Sequence, residues 1–143
     1  MNGNDTMNDI YLYLTLSGVL TLLLWTPYIL ARLFGWGLGT FLNNYPENFP
    51  KEQPEQALWA ARAQRAHLNM VETMPAFIAV VIGASQLNIS NSAALITITS
   101  WVSIFFWSRL VHAVVYIIGI PYLRTPVYLV SWAAILMIAS TIL

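Results

Sequence analysis

The chain has 143 residues, a formal net charge of zero, 58% hydrophobic residues and only 8% charged ones, against roughly 25% charged in ordinary soluble domains. So few charges cannot cover the surface of a water-soluble protein of this length, and no basic excess exists to neutralise a nucleic-acid backbone, which excludes nucleic acid as a partner. The absence of cysteine excludes disulfides, thiolate nucleophiles and cysteine-based metal sites.

Several apolar runs reach the about 20 residues needed to cross a bilayer, and the period-2 alternation of a membrane β-barrel is not visible. The sequence therefore predicts one all-α domain over residues 1–143, an integral membrane bundle of four transmembrane helices. The opening "MNGNDTMNDI" carries Asp5 and Asp9 where a secretory signal would carry basic residues. The first helix is predicted from about Asp9 to Phe34, with Pro27 bending its end and "GWGLGT" terminating it. A polar loop over about 35–53 follows. The second helix is predicted from about Pro54 to Gln86, with Pro54 in its first turn and Glu55 near the positive end of the macrodipole. Pro75 removes one bond from its ladder, to Val71. "LNISNS" then reads as a short turn, and its formal glycosylation sequon at Asn88 as part of that turn. The third helix is predicted over about 92–120 and the fourth over about 124–143, with Pro126 in its first turn.

Basic residues set the orientation. Arg32, Lys51, Arg62 and Arg65 cluster around the first connection, and Arg124 lies in the third. The opposite side, "NGNDTMND" and "LNISNS", has no Lys or Arg. Both basic connections are expected to face the cytoplasm, with both termini on the other side.

Ionisable groups at bilayer depth are costly and mark functional sites. At about 100° per residue, Arg62, Arg65, Asn69 and Glu72 share one stripe of the second helix. Arg109, His112 and Tyr116 share a face of the third, and Arg124, Tyr128 and Trp132 one of the fourth. Arg32 ends the first. These faces can meet in one cytoplasm-side cavity rich in guanidinium groups, with one carboxylate at Glu72. Arginine forks match carboxylates bidentately, and Glu72 suits an ammonium group. A ligand with two carboxylates and one amine fits. The plainer readings are that Arg62 and Arg65 are flank charges and that Glu72 only neutralises Arg109. His67, opposite the Arg65 and Asn69 stripe, reads as a helix contact. Trp25, Trp36, Trp59 and Tyr122 read as interfacial aromatics, and Met70 and Met74 as packing. Two histidines with no nearby Asp or Cys make no metal site.

Three stretches together resemble the family of membrane-associated proteins in eicosanoid and glutathione metabolism (MAPEG). "RAHLNMVE" followed by a proline is similar to its R-A-H/Q-x-N-x-x-E signature, "RLVHAVVY" to its third-helix motif and "RTPVY" to its fourth-helix R-S-x-x-Y. The resemblance spans essentially the whole chain. It implies a homotrimer that binds glutathione as co-substrate between neighbouring subunits. Carried over by motif, Arg65, Asn69, Glu72, Arg109, His112, Tyr116 and Tyr128 would bind glutathione, and Arg32 would reach it from the adjacent subunit. Arg124 matches the catalytic arginine that holds the thiolate, with Thr125 beside it where a serine is common. Met70 departs from the Asp of several members, and the first loop is longer than in the shortest ones.

The implied activity is a membrane-bound glutathione transferase, with glutathione-dependent peroxidase as a further possibility, acting on a hydrophobic or lipid electrophile. A free thiol titrates near pKa 8.5, and a guanidinium beside the sulfur favours the thiolate. The alternatives are a non-enzymatic lipid-binding or scaffold protein of the same fold, and a small transporter. No pair of interrupted half-helices of the transporter kind is present.

Overall fold

The computed structural model describes residues 3–42 and 55–143. They form four helices and, among the described residues, no strand: α1 (Gly3–Leu42), α2 (Leu58–Leu87), α3 (Ser92–Ile118) and α4 (Arg124–Ala139). Three of them, α1, α2 and α3, are long and apolar enough to cross a membrane. At 16 residues, α4 covers about 24 Å at 1.5 Å per residue, short of a hydrocarbon core about 30 Å thick. Its last turn gives way at Ser140, so it ends earlier than the apolar sequence suggested.

α1 is longer than expected at both ends. The "GWGLGT" stretch does not end it. The break is confined to Gly37, whose φ of 76° and ψ of 156° need a residue without Cβ, and the helix resumes through Leu42. Pro27 removes the donor that Leu23 would use, and the Thr26 hydroxyl donates to the Leu23 carbonyl instead, at 2.7 Å. That substitution matters in lipid, where no water can satisfy a freed carbonyl. Ser17 and Thr21 likewise bond back to Tyr13 and Ser17 carbonyls, each at 2.8 Å.

α2 starts later than expected. Its N-cap is Ala57, with no side-chain cap and no acidic residue in the first turn, so Glu55 precedes the helix. Pro54 and Lys51 lie outside the described residues. The helix runs unbroken through Pro75. At its far end Asn88 donates through Nδ2 to the carbonyls of Ala84 at 3.0 Å and Thr141 at 3.3 Å. The amide of the formal sequon thus ties α2 to the end of α4. Asn91 caps α3, its side chain accepting from Ala94 N at 3.2 Å. Gly119 closes α3 in the left-handed region.

Contacts along the helices fix an up-down-up-down bundle. Tyr11 meets Gln86 and Tyr28 meets His67, so α1 and α2 are antiparallel. Thr99 bonds the Thr6 carbonyl, so α1 and α3 run parallel. α2 and α3 form the middle; α1 packs against both, α4 packs against both, and α1 and α4 do not meet. Between helices in lipid, association comes from close packing and small residues rather than from expelling water. Ala60, Ala63 and Ala66 are buried at three-residue spacing on α2, and the first two pack with Tyr28 of α1. Phe77 and Phe105 stack at 3.7 Å between ring centroids at the α2–α3 contact. Large apolar side chains such as Leu22, Phe34 and Leu129 point outward, as a lipid-facing surface requires.

This architecture places Arg32, Arg62, Arg65 and Arg124 at one end of the bundle. The other end holds Thr6, Gln86, Asn88, Asn91 and Thr141.

Candidate functional site

α2, α3 and α4 converge at the arginine-rich end on two adjoining cavities. The larger, about 470 Å³, is lined by Arg62 and Arg65 of α2, Tyr116 of α3, the turn from Gly119 to Tyr122, and Arg124 and Thr125 of α4. The smaller, about 160 Å³, is lined by Asn69, His112, Tyr116, Arg124, Thr125 and Tyr128. Tyr116, Arg124 and Thr125 belong to both. Among the described residues no carboxylate lines either cavity, so the space is cationic.

Ring contacts order the smaller cavity. His112 is buried, 5.5 Å from the Tyr116 ring and 5.8 Å from the Tyr128 ring. The Arg124 guanidinium lies 5.4 Å from the centroid of Tyr116. Asn69 donates to the Arg65 carbonyl at 3.3 Å, one turn back on its own helix, which leaves its amide oxygen for a ligand.

Arg109 sits behind this cavity with its guanidinium 5.4 Å from the Tyr128 ring. It is 1% exposed. Its Nε donates to the Met70 sulfur at 3.2 Å. Neither Nη1 nor Nη2 has a hydrogen-bond partner among the described residues. A buried guanidinium left this way is costly. Met70 therefore does more than pack: its thioether, a weak acceptor, is what the buried Arg109 Nε meets, and no carboxylate neutralises Arg109 from that position. Glu72 is exposed. It acts on Arg109 electrostatically but lines neither cavity, and no ion pair between the two exists among the described residues.

Arg32 lies apart. It stands on the α1 side of α2, donating to Gln64 at 2.8 Å and stacked against Tyr28 and Trp36 at 5.4 and 5.3 Å. Its Nε is buried without a hydrogen-bond partner among the described residues. Next to it, Tyr28 hydroxyl and His67 Nδ1 are 2.9 Å apart, which makes His67 the α1–α2 contact its position on the helix suggested. Trp36 is thus a stacking partner for a cation as well as an aromatic near a helix end.

Sequence reasoning left Arg62 between two readings, did not assign Tyr122 to a cavity, and passed over one partner. Arg62, read as a flank charge as readily as anything else, and Tyr122, read as an interfacial aromatic, both line the larger cavity. Gln64, which holds Arg32, was not singled out. Arg62 carried a signal, its place on the Arg65 stripe; Tyr122 carried none, because its direction comes from the turn and not from helical periodicity.

The sequence model of the MAPEG family matches residues 10–143. The chain belongs to the MAPEG family. No curated protein and no solved structure gives a match. MAPEG membership accounts for the all-helical membrane bundle and places the protein among those linked to glutathione and eicosanoid metabolism, a group in which some members are enzymes and some are not. The MAPEG match takes in α1 from Ile10 onward and the whole of α2, α3 and α4, and with them every side chain around the two cavities.

Proposed function

We propose that this protein is a membrane-bound glutathione transferase that holds the glutathione thiolate for attack on hydrophobic electrophiles. The observation that carries the reading is the meeting of Asn69, His112, Tyr116, Arg124, Thr125 and Tyr128, from three helices, around one cationic cleft. Glutathione brings two carboxylates, one ammonium and one thiol. Arg65 and the unpartnered fork of Arg109 suit the carboxylates, and Glu72, exposed one turn along α2 from Asn69, suits the ammonium. Arg124 and the Thr125 hydroxyl sit where α4 begins, and the positive end of that helix adds to the guanidinium in favouring a thiolate. The reaction then needs no covalent enzyme intermediate. The sulfur lone pair forms the new bond to the electrophilic carbon, the leaving group departs with its electrons, and the thiol proton has already gone to solvent. Proximity and electrostatic stabilisation supply the catalysis, and the bilayer concentrates the electrophile.

The same cleft supports a homotrimer. Arg32 lines neither cavity of its own subunit and is held on the α1 side by Gln64, Tyr28 and Trp36, so we place it at the site of a neighbouring subunit.

Purified protein in detergent is expected to bind glutathione by calorimetry and to conjugate chlorodinitrobenzene. Consumption of a lipid hydroperoxide with formation of oxidised glutathione and the corresponding alcohol would add peroxidase activity. Absence of glutathione binding would return the chain to a non-enzymatic lipid-binding role on the same fold.

A further inference from the structure

The connection from α3 to α4 is built from uncommon backbone. Gly119 caps α3 at φ 83°, and both its N–H and that of Ile120 bond to the Val115 carbonyl, at 3.0 and 3.1 Å. Tyr122 has φ 67°, and Leu123 N donates across it to Pro121 O at 2.8 Å, a tight γ-turn in the strained positive-φ form. Arg124 follows immediately as the first residue of α4, and Leu123 at the N-cap offers no side-chain cap. A turn of this kind holds its shape only if something outside it determines that shape.

Arg62 of α2 supplies the contact. Its Nη1 donates to the Ile118 carbonyl at 3.2 Å, one of the last carbonyls of α3, which have no partner within their own helix. The cation also complements the negative end of the α3 dipole. The fit over the next residue is close: a Cβ built on Gly119 would fall inside the Arg62 guanidinium. Gly119 is therefore required twice, by its φ and by the plane of Arg62 lying across its Cα. A charge that merely marked the membrane flank would not be seated against a helix end in this way.

We infer that Arg62 is a positioning residue: it clamps the C-terminus of α3 to α2 and thereby fixes the turn that delivers Arg124 and Thr125 to the cavities. The clamp stands on its own geometry; only its catalytic consequence rests on the glutathione reading.

Hydrogen exchange of the full-length protein, without glutathione, tests the clamp. In Arg62→Ala the amides of Gly119, Ile120 and Leu123 should exchange ~10-fold faster or more, the size expected for loss of a hydrogen bond from a charged donor. Amides between Asn88 and Leu95, at the other end of the bundle, should keep their rates. Arg62→Lys, which retains charge and one donor, should fall between. Gly119→Ala, with Arg62 kept, should accelerate the same amides, and the double variant should show less than the sum of the two effects. Where glutathione binds, Arg62→Ala should lower kcat by roughly 10-fold or more through misplacement of Arg124, with glutathione affinity nearly unchanged. Unaltered exchange at the turn, or acceleration spread evenly along the chain, overturns the inference. So does a loss of affinity with kcat intact, which would make Arg62 a ligand contact. If the wild-type protein binds no glutathione, the transferase reading falls while the exchange rates still decide the clamp.

Discussion

Arg124 occupies an unfavourable place for a cation, the first residue of a helix, where the macrodipole is positive and a guanidinium costs about 0.3–1 kcal/mol. An anion in the adjoining cavities reverses that sign. On the proposed reading, several groups would hold the carboxylates and ammonium of glutathione, whereas the sulfur would have Arg124 and little else. Arg124→Ala is therefore expected to lower turnover by ~10²–10³, as for loss of one preorganised donor, with a much smaller loss of affinity. Its ultraviolet thiolate band should be weak at neutral pH and should recover as the pH approaches that of the free thiol. Wild-type turnover with an unchanged band would reduce Arg124 to a turn charge. Arg109 makes the opposite case, because its problem is burial. With two unpartnered Nη atoms and a sulfur on Nε, Arg109→Met should leave the ligand-free protein as stable or more stable by about 1–3 kcal/mol, the cost of the unsatisfied group. Glutathione binding should weaken in the same variant, and in Glu72→Gln. Thermal unfolding with and without glutathione reads both effects. Destabilisation of the ligand-free protein by Arg109→Met would mean that the guanidinium is already paired, and unchanged affinity in Glu72→Gln would remove that carboxylate from the site. None of this was legible from Arg109 alone. Periodicity put it on the right face with His112 and Tyr116, but only the three-dimensional neighbourhood shows that Met70 and not Glu72 is what it touches.

At the scale of the helices, most of the fold was readable because lipid simplifies the rules. Apolar length gives a spanning helix, and every backbone group must be satisfied inside it. What could not be read was where helices end. "GWGLGT" looks like a terminator, yet one glycine at Gly37 absorbs the break and the helix continues. Pro54 and Glu55 look like a helix start, yet α2 begins at Leu58, in a place set by the alanine packing against α1 rather than by capping. The basic residues nonetheless mark one end of the bundle, and the positive-inside rule predicts that this end faces the cytoplasm. On this cysteine-free background, Lys51→Cys is expected to be labelled only from the cytoplasmic side, and a cysteine at Asn8 only from the opposite side. Labelling of position 51 by an impermeant reagent on intact cells would turn the protein over and put the cleft out of reach of cytoplasmic glutathione.

At the scale of the whole molecule, the positions of Arg32 and Arg124 make a claim about assembly that a single subunit cannot express. The two arginines belong to different faces: α1 and α4 do not meet, and Arg32 is held by Gln64, Tyr28 and Trp36 on the α1 side. In a ring of three identical subunits, each site would take Arg124 from one copy and Arg32 from the next. Arg32→Ala and Arg124→Ala should then each inactivate the homotrimer, the first through weaker glutathione binding and the second through turnover. Mixed trimers should recover activity, because wherever an Arg124→Ala subunit lends its intact Arg32 to an Arg32→Ala neighbour, both arginines meet in one site. Each mixed ring contains one such boundary, whichever variant is in the majority. With one restored site in three, particles that contain both variants are predicted to show about one third of wild-type activity, and the unselected random mixture about one quarter, from two proteins that are nearly inactive alone. The comparison is made by co-expressing the two variants with different affinity tags, isolating particles that carry both tags, and assaying them beside each parent. Recovery would require both a symmetric oligomer and a site shared between copies. Mixed particles no more active than their parents would place Arg32 and Arg124 in service of the same subunit, and the α1 face would then be a packing surface only.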